Sequence, residues 1–322
     1  MRRFIFAALV AAMVLTLSVP ALALDGDTEP VVVSDAEALI EAIARAEDGD
    51  TIYIDSEIQP ENGDVIGSLD SQIILKRADE FTGQFFKVYY PCTIQNIDFD
   101  CANGGNALYI SSIGVNISDC KFQGFSSGYI VSMYFGCQVS IENCTFDITN
   151  SEFSGVIIDT LPDTQVDIIN SVFTNTALAN NARAIFNAAT MNCFGCTFNG
   201  LNSGNGGGAI YNTPAADLKL EGCTLTRNSG TYGGAVQNNG TLTIVNSRIY
   251  GNTAIIQGND IFNSSDTAQL TIQNSIEEYS ELFSDFDYPT MGWYYDSATA
   301  RYDDNNAVPL PILRYQTDDW NR

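Results

Sequence analysis

An eight-residue phrase returns eight times in this chain, and that period confines the fold before any single residue suggests a chemistry. The copies begin at Cys92, Val115, Val139, Val166, Met191, Leu218, Leu242 and Leu270, with steps of 23, 24, 27, 25, 27, 24 and 28 residues. They read CTIQNIDF, VNISDCKF, VSIENCTF, VDIINSVF, MNCFGCTF, LKLEGCTL, LTIVNSRI and LTIQNSIE. Places one and three are apolar or Cys, place eight is mostly Phe, and places two and seven are mostly polar. Such alternation is strand-like, and a period in the twenties marks a solenoid. Place five holds Asn96, Asn143, Asn170, Asn246 and Asn274, or Asp119, Gly195 and Gly222. These residue types tolerate tight turns.

A second phrase moves with the first. Ala184 to Asn187 (AIFN), Ala209 to Asn212 (AIYN), Ala235 to Asn238 (AVQN) and Asp260 to Asn263 (DIFN) end on Asn residues spaced 25, 26 and 25 apart. Coils of about 25 residues with short strands, turn residues and no helical pattern between copies exclude leucine-rich and ankyrin repeats. The expectation is an all-β parallel β-helix in which each coil lies about 4.8 Å above the last and equivalent side chains form ladders. Phe99, Phe122, Phe146, Phe173 and Phe198 then stack in the core, and Asn187, Asn212, Asn238 and Asn263 hydrogen-bond along the axis.

The ends differ from the repeat. Arg2 and Arg3, the apolar run Phe4 to Val19 and the small-residue site Ala21-Leu22-Ala23 read as a secretory leader over 1–23. No other long apolar stretch follows, so no membrane span is expected in the mature chain. Residues 24–50 read as an N-terminal cap: Ser34 to Glu47 places Ala36, Leu39, Ile40 and Ile43 on one helical face and stops at Gly49. The β-helix is expected over 51–275, with Gln72 to Lys76 and Phe85 to Tyr89 as early, less regular coils. Residues 276–322 break the pattern, carry ten acids against three arginines and hold both tryptophans. They read as a C-terminal cap, since an open solenoid end exposes core and strand edges.

Composition narrows the partners. Loss of Arg2 and Arg3 with the leader takes the net charge from -25 to -27, which repels nucleic acid and anionic lipid and could gather calcium. Histidine is absent, which removes the commonest general base. Cys120, Cys144, Cys196 and Cys223 share place six, where Ser171, Ser247 and Ser275 stand in other copies. A stack of about 4.8 Å is wider than a relaxed disulfide prefers, so buried thiols are favoured, with Cys120–Cys144 and Cys196–Cys223 as strained alternatives.

The phrases Gly207-Gly208-Ala209-Ile210 and Gly233-Gly234-Ala235-Val236, with LTRN ending at Asn228 and IYGN ending at Asn252, resemble the GGA(I/L/V) and FxxN motifs of the chlamydial polymorphic outer-membrane protein repeat. The resemblance covers about Arg183 to Asn274. It implies a right-handed parallel β-helix of the pectate-lyase-like superfold, displayed at a bacterial surface and linked with adhesion. Members of that family end in a membrane barrel, for which the residues after Ser275 are too few.

Two functional classes follow. The first is a secreted or surface-held, non-enzymatic protein that binds an extracellular glycan or a surface protein, with Trp293, Tyr294, Tyr295 and Tyr302 as candidate ligand contacts. The alternative is a polysaccharide lyase or glycoside hydrolase, which needs acids converging on one face, with calcium and a basic residue in a lyase. Asp167 and Lys219, outward at place two on either side of Asn192, and Asp159, Asp163 and Arg183 nearby are the residues that could serve it.

Overall fold

The computed structural model describes residues 29–272 apart from 103, 105, 126, 150–153, 176–180 and 264–267. Within that span the chain is a parallel β-solenoid with three faces. Sheet I has nine strands from Val65–Ile66 to Gln269–Ile272, sheet II ten from Val31–Val33 to Arg248–Tyr250, and sheet III eleven from Phe86–Val88 onward. All pairings between strands are parallel except a single bridge between Ala182 and Asn202. The expected capping segment 276–322, with Trp293, Tyr294, Tyr295 and Tyr302, lies outside the described residues, as does the expected leader over 1–23.

One coil shows how the repeat makes its corners. Gln138–Glu142 lies in sheet I, the chain turns at Asn143, and Thr145–Asp147 continues in sheet II before Ser154–Thr160 enters sheet III. The eight-residue phrase is therefore two strands with a corner between them. Place five is the corner, and it is left-handed in every described copy: Asn96, Asp119, Asn143, Asn170 and Asn246 have φ between 45° and 54°, and Gly195 and Gly222 have φ of 62°. Asn, Asp and Gly adopt that conformation with least strain, which is why no other residue type stands there.

Place six packs just inside the corner, and apart from Ile97 in the first copy it is small and able to donate. The thiols of Cys120, Cys144, Cys196 and Cys223 donate to the place-four carbonyls of Ser118, Glu142, Phe194 and Glu221 over 3.2 to 3.5 Å. The hydroxyls of Ser171 and Ser247 make the same bond to Ile169 and Val245, each at 3.0 Å. All eight cysteines are buried and unbridged. Burial pushes the Cys101 thiol well up and the Cys92 thiol to about 11.

The interior is built from ladders. Phe99, Phe122, Phe146, Phe173 and Phe198 are in register across sheet II, with ring centroids 4.7 to 4.8 Å apart and ring planes within 6° of parallel. In sheet III the buried amide of Asn187 donates to Asn212, Asn212 to Asn238, and Asn238 to Asn263. Each of the first two bonds is 2.8 Å. The glycine phrases serve close approach: a Cβ on Gly208 would lie 2.1 Å from the Gly234 carbonyl oxygen, and one on Gly234 2.0 Å from that of Asn259.

The N-terminal end corrects three expectations. The helix spans Ala36–Ile43, not Ser34 to Glu47, because Asp35 takes the N-cap and accepts from the Ala38 amide at 2.8 Å. Its end tightens through Arg45 N to Ala42 O and Ala46 N to Ile43 O, and Gly49 belongs to the turn beyond. Ala36, Leu39 and Ile43 are buried and Ile40 half-buried. Val31–Val33, ahead of the helix, forms the first strand of sheet II and pairs with Thr51–Ile54. Finally, Ile73–Arg77 and Phe86–Val88 are not successive coils but two faces of the winding, sheets II and III. Among the described residues no helix is long and apolar enough to cross a membrane.

Candidate functional site

Alternation in a strand sends every second side chain outward, and parallel register lines those side chains into columns along the solenoid. On sheet III one outward column runs Lys87, Tyr109, Ser132, Asp159, Phe186, Tyr211, Gln237, Phe262. It does not repeat one residue type. Aromatic rings gather around Tyr109 and at Phe186–Tyr211 with a hydroxyl and a carboxyl between these two levels, and beyond Gln237 the column ends at Phe262, whose ring lies 5.0 Å from that of Tyr232.

At the lower level Tyr109 has Tyr89 on one side, with centroids 6.2 Å apart, and Tyr134 on the other at 6.3 Å. Phe135 meets Tyr134 edge-on at 5.0 Å. Tyr89, Tyr134 and Phe135 are 44%, 45% and 52% exposed. At the upper level Phe186 and Tyr211 stack at 5.3 Å with planes 10° apart. The Tyr211 hydroxyl accepts from Asn239 Nδ2 at 2.7 Å, which fixes its ring. Arg183 lies 5.2 Å from the same ring and completes the support from below.

Asp159 stands between the levels, with Ser132 and Phe186 as its in-register neighbours. It is half-buried and has no hydrogen-bond or ion-pair partner among the described residues. Burial without a compensating cation pushes its carboxyl up to about 6. Arg183 cannot neutralise it. Its register partner is Val156, three residues from Asp159, an offset of about 10 Å along the strand. Its guanidinium is instead spent on the loop beside it, bonded to Gly207 O at 3.0 Å, Ser203 Oγ at 2.9 Å and the Asn205 carbonyl.

The remaining sequence candidates do not join this face. Asp163 is exposed in the turn between sheets III and I, with φ of 63°. Asp167 lies on the outside of sheet I in register with Asn192, which in turn faces Lys219. Asp167 accepts from Asn192 Nδ2 at 2.8 Å, while Lys219 Nζ pairs with Glu221 at 2.6 Å and lies 5.5 Å from the Phe194 ring. Acid and base are thus each held by a different neighbour. Asn116, Gln138, Ser140, Gln165, Asp167 and Asn192 line a shallow open groove of about 320 Å³ there, and Gln138 bonds Gln165 along it at 3.1 Å. Among the described residues no three Asp, Glu, Cys or His side chains are grouped to hold a metal ion.

The sheet III column escaped sequence reading although part of its signal was present. The third position of the second phrase is outward, and it is Phe186, Tyr211 and Phe262 in three of the four copies. No protein-family model and no curated protein matches the sequence. Among solved structures, an alginate lyase from Paenibacillus sp. str. FPU-7 is similar over 76% of this chain and 97% of its own, at 15% identity and a TM-score of 0.24. So low a superposition bears on neither the site nor the activity.

Proposed function

We propose that this is an exported, non-enzymatic glycan-binding β-helix whose ligand lies on the outer face of sheet III. The observation that carries the reading is the column Tyr109, Ser132, Asp159, Phe186, Tyr211. Sugar rings are amphipathic, with C–H faces that pack on aromatic side chains and hydroxyl edges that need hydrogen-bond partners. The column offers both on a rigid sheet. The leader-like start, the acidic composition and the resemblance to repeats linked with adhesion agree with a role outside the cell.

A cleavage activity has one specific point in its favour, the raised carboxyl of Asp159, since a general acid needs such a group. Glycoside hydrolysis also needs a second carboxylate within about 5 to 9.5 Å. The column supplies none: the neighbours one coil away are Ser132 and Phe186, and those two coils away are Tyr109 and Tyr211. Binding therefore accounts for more of the face than catalysis does. Native gels cast with soluble polysaccharides test this directly, alongside a reducing-end and unsaturated-product assay. Retardation without product is the expected result, and product release by the wild-type protein but not by Asp159→Asn would replace binding with catalysis.

A further inference from the structure

The two aromatic levels and the charge of the face specify the ligand more closely, provided the sheet III reading holds. We infer that the ligand is an uncharged polysaccharide lying parallel to the solenoid axis, one sugar to roughly each coil. Tyr109 and Phe186 are three register steps apart in one column, a rise of about 14 Å at about 4.8 Å per coil. A chain along the axis sets one ring over Tyr109 and its neighbours Tyr89 and Tyr134, and another over the Phe186–Tyr211 stack. The sugars between them turn hydroxyls toward Ser132 and Asp159. A chain laid across the sheet would meet one of these levels and leave the other bare.

Charge selects the class of sugar. The cation at the foot of the column, Lys87, is engaged by Glu57 Oε2 at 2.5 Å. Arg183 is buried and bonded to the loop at Ser203 to Gly207. No other basic side chain stands in the column, and the chain as a whole carries -25. A uronate carboxylate would meet Asp159 without a counter-charge, whereas a neutral hydroxyl can donate to it.

The test measures binding by calorimetry to neutral manno- and gluco-oligosaccharides from disaccharide to hexasaccharide, and to oligogalacturonates of the same lengths. The expected result is a rise in affinity of about tenfold when the neutral ligand becomes long enough to reach both levels. Oligogalacturonates should bind more weakly at every length. Tyr109→Ala and Tyr211→Ala should each abolish the step with length while leaving disaccharide binding at the other level. The wild-type length series stands whether or not either variant folds. Affinity that levels off at the disaccharide, or that favours the oligogalacturonates, would overturn the axial, uncharged ligand but leave a glycan-binding face. Failure of every glycan to bind would overturn the binding reading itself.

Discussion

Among the described residues aromatic side chains form two columns, one inside sheet II and one outside sheet III, and they obey different rules. Inside, five phenylalanines from Phe99 to Phe198 recur on every coil with centroids 4.7 to 4.8 Å apart and planes almost parallel. Outside, rings meet at 5.0 to 6.3 Å with planes 10° to 85° apart, and the column is interrupted by Ser132 and Asp159. The inner column is held to large apolar side chains by the coil, with Leu75, Leu225 and Ile249 continuing it at its two ends, since a small side chain there leaves a void in a closed core. The outer column has no such constraint. Where it departs from repetition, the departure is free to serve a ligand.

The contrast can be broken most severely from the inside. Phe146→Ala empties one slot in a continuous stack, and Phe122 and Phe173 each lose a ring contact. A loss of about 3 to 5 kcal/mol is expected, read as a lower urea midpoint with an unchanged glycan affinity per folded molecule. An unshifted midpoint would mean that the inner column is no more constrained than the outer one.

The buried amide ladder should come next. Asn212 donates to Asn238 Oδ1 at 2.8 Å and to Thr241 O at 2.9 Å, and accepts from Asn187. Asn212→Ala leaves buried polar groups on both neighbouring coils unpaired and should destabilise by about 1 to 3 kcal/mol. Asn212→Asp should not rescue it, because a carboxylate cannot donate to Asn238. Equal stability of the Ala and wild-type proteins would show that the ladder only fills space.

These inner features are the ones the sequence made legible. Place five had to turn, and the left-handed φ at Asn96, Asp119, Asn143, Asn170, Gly195, Gly222 and Asn246 shows the cause of its composition. Periodicity could not reveal that the turn divides one phrase between two sheets, because a corner with two strands alternates almost as one longer strand does. The first strand, Val31–Val33, lies ahead of any repeat and gains its place only by pairing with Thr51–Ile54. The candidate site was least legible. Tyr109, Ser132 and Asp159 belong to coils in which Ile110, Met133 and Thr160 stand where later coils have the ladder Asn, so nothing in the sequence aligned them with Phe186 and Tyr211. Outward positions leave no periodic mark when packing does not restrict them.

From the outside, the same comparison predicts a change in function with little change in stability. Tyr109 is half-buried on the outer surface whereas Phe146 is fully buried, so Tyr109→Ala should shift the urea midpoint far less than Phe146→Ala does. Its affinity for a long neutral oligosaccharide should fall about tenfold, the scale of one lost aromatic contact. A large loss of stability with no loss of affinity would make Tyr109 part of the scaffold.

Asp159 gives the smallest and sharpest test, because among the described residues it is the one acidic side chain in the outer column. Its carboxyl is raised from 3.8 to about 6, and burial is the cause. A raised acid works in the opposite direction from an ion-paired one. Between about pH 4 and 6 the folded protein keeps a proton that the unfolded chain has released, so its share of the stability falls as pH rises through that window and stays lost above it. Asp159→Asn removes the titration while keeping the shape. The variant should match the wild type near pH 4 and exceed it at neutral pH by roughly 1 kcal/mol, a figure reduced for solvent screening of a half-buried group. Urea midpoints of the two proteins compared across that range isolate this carboxyl, because every other acid is common to both. A constant difference at all pH values would place Asp159 in open solvent, and the gap between the two aromatic levels would then need another explanation.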